Sequence, residues 1–309
     1  MFAFITQPNY PKAAIGLEKE RVTVLSLQKE GRAAYGIRNA ASVQLPGSLL
    51  QPQFLDSNVS SRQGLATVLK EAASLAGLLG QKNWSVALPS KAARTAILTL
   101  ESDSGSNIDE VVDWKAEQSF GVPASALRIT KNRLSPDKEG KVRYIATAVK
   151  LSVIDEYESV FEDLGWKAGL MVPRPVAESN WLSRNRNAAD SLLLSSQDGG
   201  FTAVLFSNGE PNVVRSVTCS DNEKDDEIYR LLLFYNDRVG LERGSQRLDR
   251  VLAIGEDLRP SSINEIAHEA LGRPISILNS TDVGLNLPDT SIGFDEIAAP
   301  AGLAVFGCN

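Results

Sequence analysis

Short apolar runs separated by glycine-containing turns stand out in the second half of the chain, at residues 191–217. The runs cover residues 192–194, 201–206 and 212–217. Asp-Gly-Gly separates the first two runs and Asn-Gly separates the last two, and such dipeptides favour tight hairpins. The pattern therefore predicts three antiparallel strands joined as a meander.

A similar pattern occurs near the start of the chain. An apolar run at residues 13–17 is followed by a charged turn and by an alternating, strand-like run at 21–27. A further strand-like run at 33–45 ends before Pro46. The repetition of one arrangement in both halves predicts two halves of related architecture.

Stretches with helical spacing of apolar residues follow each meander. The predicted helices cover residues 60–79, 108–120, 153–164, 175–183, 228–239, 261–271 and 298–306. Short apolar runs between them, at 84–88, 168–172 and 251–255, predict further strands. This order indicates an α/β or α+β protein in two lobes, with residues 185–190 as the linker.

Composition and charge narrow the class of protein. Hydrophobic residues make up 43% and charged residues 23% of the chain, which is typical of a soluble globular protein. The net charge of −6 argues against a nucleic-acid partner, which would require a basic face. Cys219 and Cys308 match no zinc-site spacing and imply no disulfide framework, so no metal site is predicted and a reducing compartment is expected.

Signals for secretion or membrane insertion are not found in the sequence. The first twelve residues lack the basic segment and long apolar core of a secretion signal. No apolar run approaches the roughly 20 residues that span a bilayer. We therefore expect a cytoplasmic protein, which leaves docking on a membrane protein open.

Five stretches match, in order along the chain, the motifs of one known family. Residues 15–17 resemble its opening IGLD-type strand, and residues 111–118 resemble its I-x-W-E-A-E-Q helix. Residues 144–165 resemble its A-A-x-K…V-x-x-Y…L-x-x-A-G-L block. Residues 173–182 resemble its E-P-x-A-L-x-R helix, and residues 298–307 its closing A-x-G-L-A-L-x-G. The ordered set resembles the PilM-like family of actin-like pilus assembly proteins, which is related to FtsA and to the cytoplasmic domain of GspL.

The resemblance implies an α/β, two-lobed actin-like fold of the actin, sugar-kinase and ribonuclease-H-like type. A small α+β subdomain would be inserted in the first lobe, at about residues 81–165. The first lobe would cover residues 1–187 and the second lobe residues 188–309. Whether the last helix, at about 298–307, returns to the first lobe is left open.

The resemblance also implies a nucleotide cleft between the lobes. Actin-like ATPases hold phosphate on two D-x-G turns, where an acidic residue organises Mg²⁺ and glycine lets backbone N–H groups approach the phosphates. An ordinary hairpin turn is the alternative interpretation of residues 198–200. The candidates for a nucleotide site are Gly16, Glu18, Asp198, Gly199, Gly200 and Gly255.

These turns depart from the family pattern. Lys19 and Arg21 stand where glycine and serine are expected, and Glu18 replaces aspartate. Glu256 and Asp257 would repel a polyphosphate unless a metal intervened. We therefore expect degenerate nucleotide motifs with no catalytic residue and no cofactor, while bound ATP and Mg²⁺ remain the alternative.

The resemblance further implies a scaffold of a type IV pilus or type II secretion assembly platform, at the cytoplasmic face of the inner membrane. It would bind the short cytoplasmic tail of a PilN-like membrane partner in a groove of the first lobe, without hydrolysing ATP. It would be peripheral to the membrane through that partner, and self-association is left open. The candidate partner-binding residues are Val111, Trp114, Lys115 and Gln118.

Two enzymes remain as alternatives, so whether the chain is an enzyme stays open. The first is an active Mg²⁺-ATP-binding ATPase of the same assembly system, using Asp198 and Glu18. The second is a sugar-kinase-like enzyme, which would need a catalytic base that the sequence does not identify. His268 is the only histidine, and no G-x-S-x-G motif accompanies it.

Overall fold

A computed structural model describes residues 10–101, 107–184, 190–240, 248–287 and 292–308. The strands in this part of the chain are β1 (Ala13–Leu17), β2 (Arg21–Lys29), β3 (Tyr35–Gln44), β4 (Asn83–Leu88), β5 (Arg94–Leu100), β6 (Leu127–Leu134), β7 (Val142–Lys150), β8 (Lys167–Pro173), β9 (Asp190–Gln197), β10 (Gly200–Ser207), β11 (Glu210–Thr218), β12 (Leu248–Ile254), β13 (Ser276–Leu278) and β14 (Leu285–Asn286). The α-helices are α1 (Arg62–Leu75), α2 (Ile108–Phe120), α3 (Leu151–Asp163), α4 (Arg174–Ser183), α5 (Lys224–Phe234), α6 (Pro260–Leu271) and α7 (Phe294–Ala304).

Two large sheets share one plan. The six-stranded sheet has the order β14-β3-β2-β1-β4-β8, and the five-stranded sheet has the order β11-β10-β9-β12-β13. In each, an antiparallel meander is extended by parallel strands on the side of its first strand. The two predicted meanders and their repetition are therefore confirmed.

The turn between β10 and β11 shows why the sequence pattern was sufficient here. Asn208 has a φ of 54° and Gly209 a φ of 77°, so both central residues are left-handed. Asn-Gly suits a two-residue hairpin loop because both residues tolerate this conformation. Ser207 and Glu210 close the loop as a directly opposed pair.

A third sheet of three strands, in the order β5-β7-β6, lies within the first half of the chain. Val112, Ala116 and Phe120 of α2 pack on one of its faces, against residues such as Leu98 and Ala146. The strands that precede and follow this unit, β4 and β8, pair with each other in the six-stranded sheet. The expected lobe and subdomain boundaries remain a prediction.

Helices α4 and α7 lie between the two large sheets and share a hydrophobic core with both. The two helices approach closely, because a Cβ on Gly302 of α7 would lie 2.3 Å from the carbonyl oxygen of Ala177 in α4. Helix α7 also packs on β1, where a Cβ on Gly16 would lie 3.0 Å from Cδ of Pro300. The far faces of the sheets are covered by α1 and α3 on the first and by α5 and α6 on the second.

Some helix ends differ from the predicted ones. Helix α1 begins after Ser61, whose hydroxyl accepts from the Gly64 N–H, whereas the predicted range begins at residue 60. The Ser60 hydroxyl instead donates to a backbone carbonyl of the preceding loop. The predicted linker lies outside the described residues except for Asp190, which begins β9. No helix of the described chain has the length and apolar character that crossing a membrane requires.

Candidate functional site

The turns β1–β2 and β9–β10 face each other across a cleft of about 360 Å³ between the two large sheets. Each turn joins the first two strands of its meander, so the two occupy equivalent places. Lys19 of the first turn lies with its Nζ 2.9 Å from Oδ2 of Asp198 in the second. The hydrogen bond from Lys19 lowers the pKa of Asp198 and raises the pKa of Lys19. One ion pair thus spans the cleft.

Arg21, at the start of β2, makes a second connection. Its Nη2 lies 3.2 Å from Oε1 of Glu256, which follows β12 of the second sheet. Its Nη1 lies 3.1 Å from Oε2 of Glu296 in α7. Arg21 and Glu296 are both largely buried, whereas Glu256 is mostly exposed, so the pair with Glu296 is the less screened of the two.

Arg174, the first residue of α4, occupies the floor of the cleft. Its Nη1 lies 2.8 Å from Oε2 of Glu18, and its Nε donates to Oε1 of Glu178 at 2.6 Å. Its Nη2 donates to the backbone carbonyl of Asp295 at 3.2 Å. Burial lowers the pKa of Arg174, but the carboxylates of Glu178 and Glu18 outweigh it and hold the guanidinium charged.

Lys224, the first residue of α5, is buried on the other side of the cleft. Its ammonium donates to Asp257 and lies 3.2 Å from Oδ1 of Asp221. Asp257 also accepts a 2.9 Å hydrogen bond from the Ser196 hydroxyl. Burial opposes the charge of Asp257, but the hydrogen bonds from Lys224 and Ser196 lower its pKa.

Four of the six candidate nucleotide residues converge on this cleft. Glu18, Asp198, Gly199 and Gly255 line it, while Gly16 and Gly200 are outside its lining. Gly255 has a φ of 147°, and a Cβ there would lie 2.3 Å from Cβ of Ser196. Its N–H donates to Oδ1 of Asp295 at 2.9 Å. Packing and backbone geometry therefore account for glycine at position 255.

The two remaining glycines have structural reasons of their own. Pro300 of α7 packs against Gly16, as described above. Gly200 has a φ of 141°, and a Cβ there would lie 2.0 Å from the carbonyl oxygen of Val217 on β11. Close packing against neighbouring segments therefore accounts for glycine at both positions.

Sequence reasoning missed Arg174, Lys91 and Lys224 as cleft residues. A signal for Arg174 was present, because Arg-Pro-Val-Ala begins with arginine where the related E-P-x-A motif has glutamate. Lys91 lies 4.0 Å from Asp198 and Lys224 begins a helix, and neither position carries a motif. Only the packing of distant segments brings these two lysines to the cleft.

A magnesium–nucleotide complex does not fit this arrangement as it stands. A phosphate group would meet the Asp198 carboxylate, and a cation at Glu18 would have to displace the Arg174 guanidinium. Acidic side chains also outnumber basic ones in the lining. Within the described ranges, no group of three or more His, Cys, Asp or Glu side chains is arranged to hold a metal ion.

A second and larger concavity, of about 850 Å³, runs beside the cleft, and we call it the groove. One wall is the three-stranded sheet, represented by Thr95, Asn132 and Ile145. The opposite wall is formed by β10 and β11 of the five-stranded sheet, with Val204 and Val214. Helix α4 forms its floor, and Lys91 and Arg94 are the only charged residues in its lining among those that the structure describes.

The candidate partner-binding residues lie on the other face of the three-stranded sheet. Ala146 and its neighbours on that face contact α2, whereas Ile145 points to the groove. Trp114 is 58% exposed and Gln118 is also exposed, while Val111 and Lys115 are half-buried. The outward face of α2 and the groove are therefore separate surfaces, connected only near Phe120 at the end of the helix.

Comparisons with known proteins identify the fold. No family model matches the chain, and no curated protein matches its sequence. A chain of the solved PilM-PilN type IV pilus biogenesis complex is 16% identical with a TM-score of 0.75, over 98% of this chain and 100% of that one. A Bacteroides thetaiotaomicron protein with an actin-like ATPase fold and unknown function is 13% identical, covers 98% of both chains and has a TM-score of 0.55.

A third solved structure has a more distant likeness. The ethanolamine utilization protein EutJ from Carboxydothermus hydrogenoformans is 11% identical with a TM-score of 0.50, over 97% of this chain and 91% of that one. At these identities the likeness concerns the fold alone. The chain has the two-lobed, actin-like α/β fold that the ordered motifs predicted, and it is similar over its whole length to the chain solved in the PilM-PilN complex.

Proposed function

We propose that this protein is an actin-like scaffold of a type IV pilus or type II secretion assembly platform. It binds the short cytoplasmic tail of a PilN-like inner-membrane protein and does not hydrolyse ATP. That partner holds it at the cytoplasmic face of the inner membrane. The observation that carries the proposal is the full-length similarity to the chain solved in the PilM-PilN complex.

The groove is the surface that best suits a peptide tail. Its volume and its mixture of apolar and neutral polar side chains are typical of ligand-binding concavities. Strands β5 and β11 are edge strands of their sheets, and both contribute to the groove. The backbone groups of an edge strand can pair with an added peptide strand, while neighbouring side-chain pockets give specificity.

The outward face of α2 is the rival surface for the same tail. Trp114 presents a large amphipathic ring there, a residue type that is enriched at interfaces. This face belongs to a single helix and offers no strand edge, so it suits an extended tail less well than the groove does. A direct test must therefore change the two surfaces separately.

The experiment first looks for a PilN-like membrane protein among the genes next to this one, and then titrates this protein by calorimetry with a synthetic peptide of that protein's cytoplasmic tail. We expect Ile145→Glu to weaken binding by at least about tenfold, or about 1.4 kcal/mol, because it places a charge in the wall of the groove. Trp114→Ala should leave the affinity unchanged. Ile266→Glu, the same substitution at a half-buried isoleucine of α6, is the control for general destabilisation.

The outcomes separate the location of the peptide site from the proposed function. Loss of affinity in Trp114→Ala with normal binding by Ile145→Glu would move the site to α2 and keep the function. A wild-type protein that does not bind the peptide at millimolar concentration would overturn the proposed function.

An active ATPase of the same system is the second candidate, favoured by the convergence of Glu18, Asp198, Gly199 and Gly255 on one cleft. Titration with Mg²⁺-ATP separates the two candidates. A ligand present at one hundred times its Kd stabilises a protein by about 2.7 kcal/mol, which a thermal melt detects readily. A thermal shift accompanied by phosphate release would support the ATPase, and no shift at millimolar nucleotide would support the scaffold.

A further inference from the structure

We propose that the cleft between the lobes is filled by the protein's own ions. The Asp198 carboxylate takes the place of a bound anion, and the Arg174 guanidinium takes the place of a bound cation. The two lobes are then tied together by side chains rather than by a ligand. This inference concerns the cleft and does not depend on the peptide site in the groove.

The anionic half of the arrangement rests on Asp198. Its carboxylate lies 2.9 Å from Nζ of Lys19 and 4.0 Å from Nζ of Lys91, in a cleft that Lys224 also lines. A carboxylate attached to the chain has a high effective concentration at these ammonium groups. A free phosphate has to displace it, so weak anions are excluded although three lysines are near.

The cationic half rests on Arg174. Glu178, its partner at 2.6 Å, is fully buried, and Glu18 on the β1–β2 turn is only about one-third exposed. A metal ion at Glu18 would push the guanidinium away from its partners. Moving the guanidinium would separate it from Glu178 as well, and separating that buried pair is strongly unfavourable because both charges have left water. The Arg174 guanidinium therefore disfavours the binding of a divalent cation at Glu18.

These contacts also connect the two lobes. Lys19 and Arg21, on the β1–β2 turn and its following strand, pair with Asp198 and Glu256, which follow strands of the second sheet. Both pairs are partly exposed and are therefore screened by salt. The relative position of the lobes should respond to ionic strength and to charge-changing substitutions, and not to nucleotide.

The test removes the internal anions. In Asp198→Asn combined with Glu256→Gln, Lys19 and Lys91 lose Asp198 and Arg21 keeps only Glu296, so the cleft becomes more favourable for an anion. We expect this variant to bind inorganic tripolyphosphate, without Mg²⁺ and at low salt, at least about tenfold more tightly than the wild type by calorimetry. High salt should abolish the gain, because the added attraction is between exposed charges.

A matched control has the same change of net charge elsewhere. Asp109→Asn combined with Glu139→Gln removes exposed carboxylates that pair with Lys131 and Lys141 in the region of the three-stranded sheet. The inference is overturned if the wild type binds tripolyphosphate as tightly as the cleft variant. It is equally overturned if the cleft variant gains no more affinity than this control.

Reversing the charges of the Lys19–Asp198 pair tests whether this pair holds the lobes together. The test remains valid even if the variant with Asp198→Asn and Glu256→Gln folds poorly. Lys19→Glu alone places two negative charges together, and Lys19→Glu with Asp198→Lys restores the pair with its signs reversed. We expect faster amide hydrogen exchange in both turns for the single variant and a return toward wild-type rates for the double. Equal exchange rates in all three proteins would show that the pair does not tie the lobes.

Discussion

The β1–β2 turn and the β9–β10 turn occupy equivalent places in two sheets with the same strand arrangement, but they differ in charge and in glycine content. The first has Glu18-Lys19-Glu20 and no glycine. The second has Asp198-Gly199-Gly200, in which both glycines have positive φ. The first turn contains no glycine and contributes a cation, while the second contains two glycines with positive φ and contributes the anion.

Because of this difference, the two turns are complementary in charge although their places in the sheets are equivalent. Two like turns, each with an acidic residue, would repel each other across the cleft unless a cation lay between them. Here Lys19 supplies that positive charge from within the chain, and Arg174 neutralises Glu18 from below.

Removing Arg174, which pairs with Glu18 of the β1–β2 turn, should have the largest effect on stability. Arg174→Ala leaves the fully buried Glu178, whose pKa is raised by burial, without its guanidinium partner, so we expect a loss of about 3–5 kcal/mol in the free energy of unfolding. Urea denaturation measures it. Arg128→Ala removes an exposed arginine paired with Glu158 and should lose less than about 1 kcal/mol. Equal losses in the two variants would mean that Arg174 is no more important than a surface residue.

The two glycines of the second turn should differ from each other. Gly200→Ala forces a Cβ to within 2.0 Å of the Val217 carbonyl oxygen, so we expect a loss near the upper end of local backbone strain, about 3 kcal/mol. Gly199→Ala meets only the flexible end of Lys91 and should lose about 1 kcal/mol for its left-handed backbone. Thermal and urea unfolding compare the two. A larger loss at Gly199 would contradict the packing explanation.

The ion pair between Lys19 and Asp198 should contribute little to the free energy of unfolding, and its contribution should depend on salt. A double-mutant cycle with Lys19→Met and Asp198→Asn should give a coupling free energy of about 0.2–1 kcal/mol, because both side chains are substantially exposed. The coupling should decline as ionic strength rises. Coupling that does not change with salt would indicate packing rather than charge.

The smallest effect concerns the titration of Asp198. The hydrogen bond from Lys19 keeps the pKa of Asp198 below its ordinary value, so Lys19→Met should raise that pKa. Because the pKa is lowered by folding, this carboxylate stabilises the protein at neutral pH, and the contribution is lost as pH falls through the lowered pKa. Carbon-detected NMR of the side-chain carboxyl follows the titration. An unchanged pKa in Lys19→Met would exclude the pair in solution.

The meanders and most helices were predictable from the sequence because their signals are local. Asn208-Gly209 specifies its turn through backbone preference, and α2 ends at Gly121, which adopts the left-handed conformation typical of a helix C-terminus. Helix α1 shows the limit of such signals. Two adjacent serines both resemble N-caps, and contacts of Ser60 with a preceding loop decide between them.

The cleft was only half predictable. Motif resemblance located Glu18 and Asp198, because each follows a strand at a recognisable place. Their partners could not be found in this way, since Lys91 and Lys224 come from distant segments and are selected by packing. Gly16 shows why such reasoning leaves alternatives open, because a glycine next to a turn can serve a neighbouring helix as well as a ligand.

The groove has one wall in the three-stranded sheet and the other in the five-stranded sheet. Glu210 accepts from the Ser135 N–H at 3.0 Å, and this hydrogen bond joins the two units near β11. The width of the groove is consequently fixed by the angle between the units that bear its walls. A peptide that enters a groove already held at its final width loses less conformational entropy in the complex than one that must first draw two mobile bodies together. The angle between the two units therefore bears directly on the affinity of the peptide that is proposed for the groove.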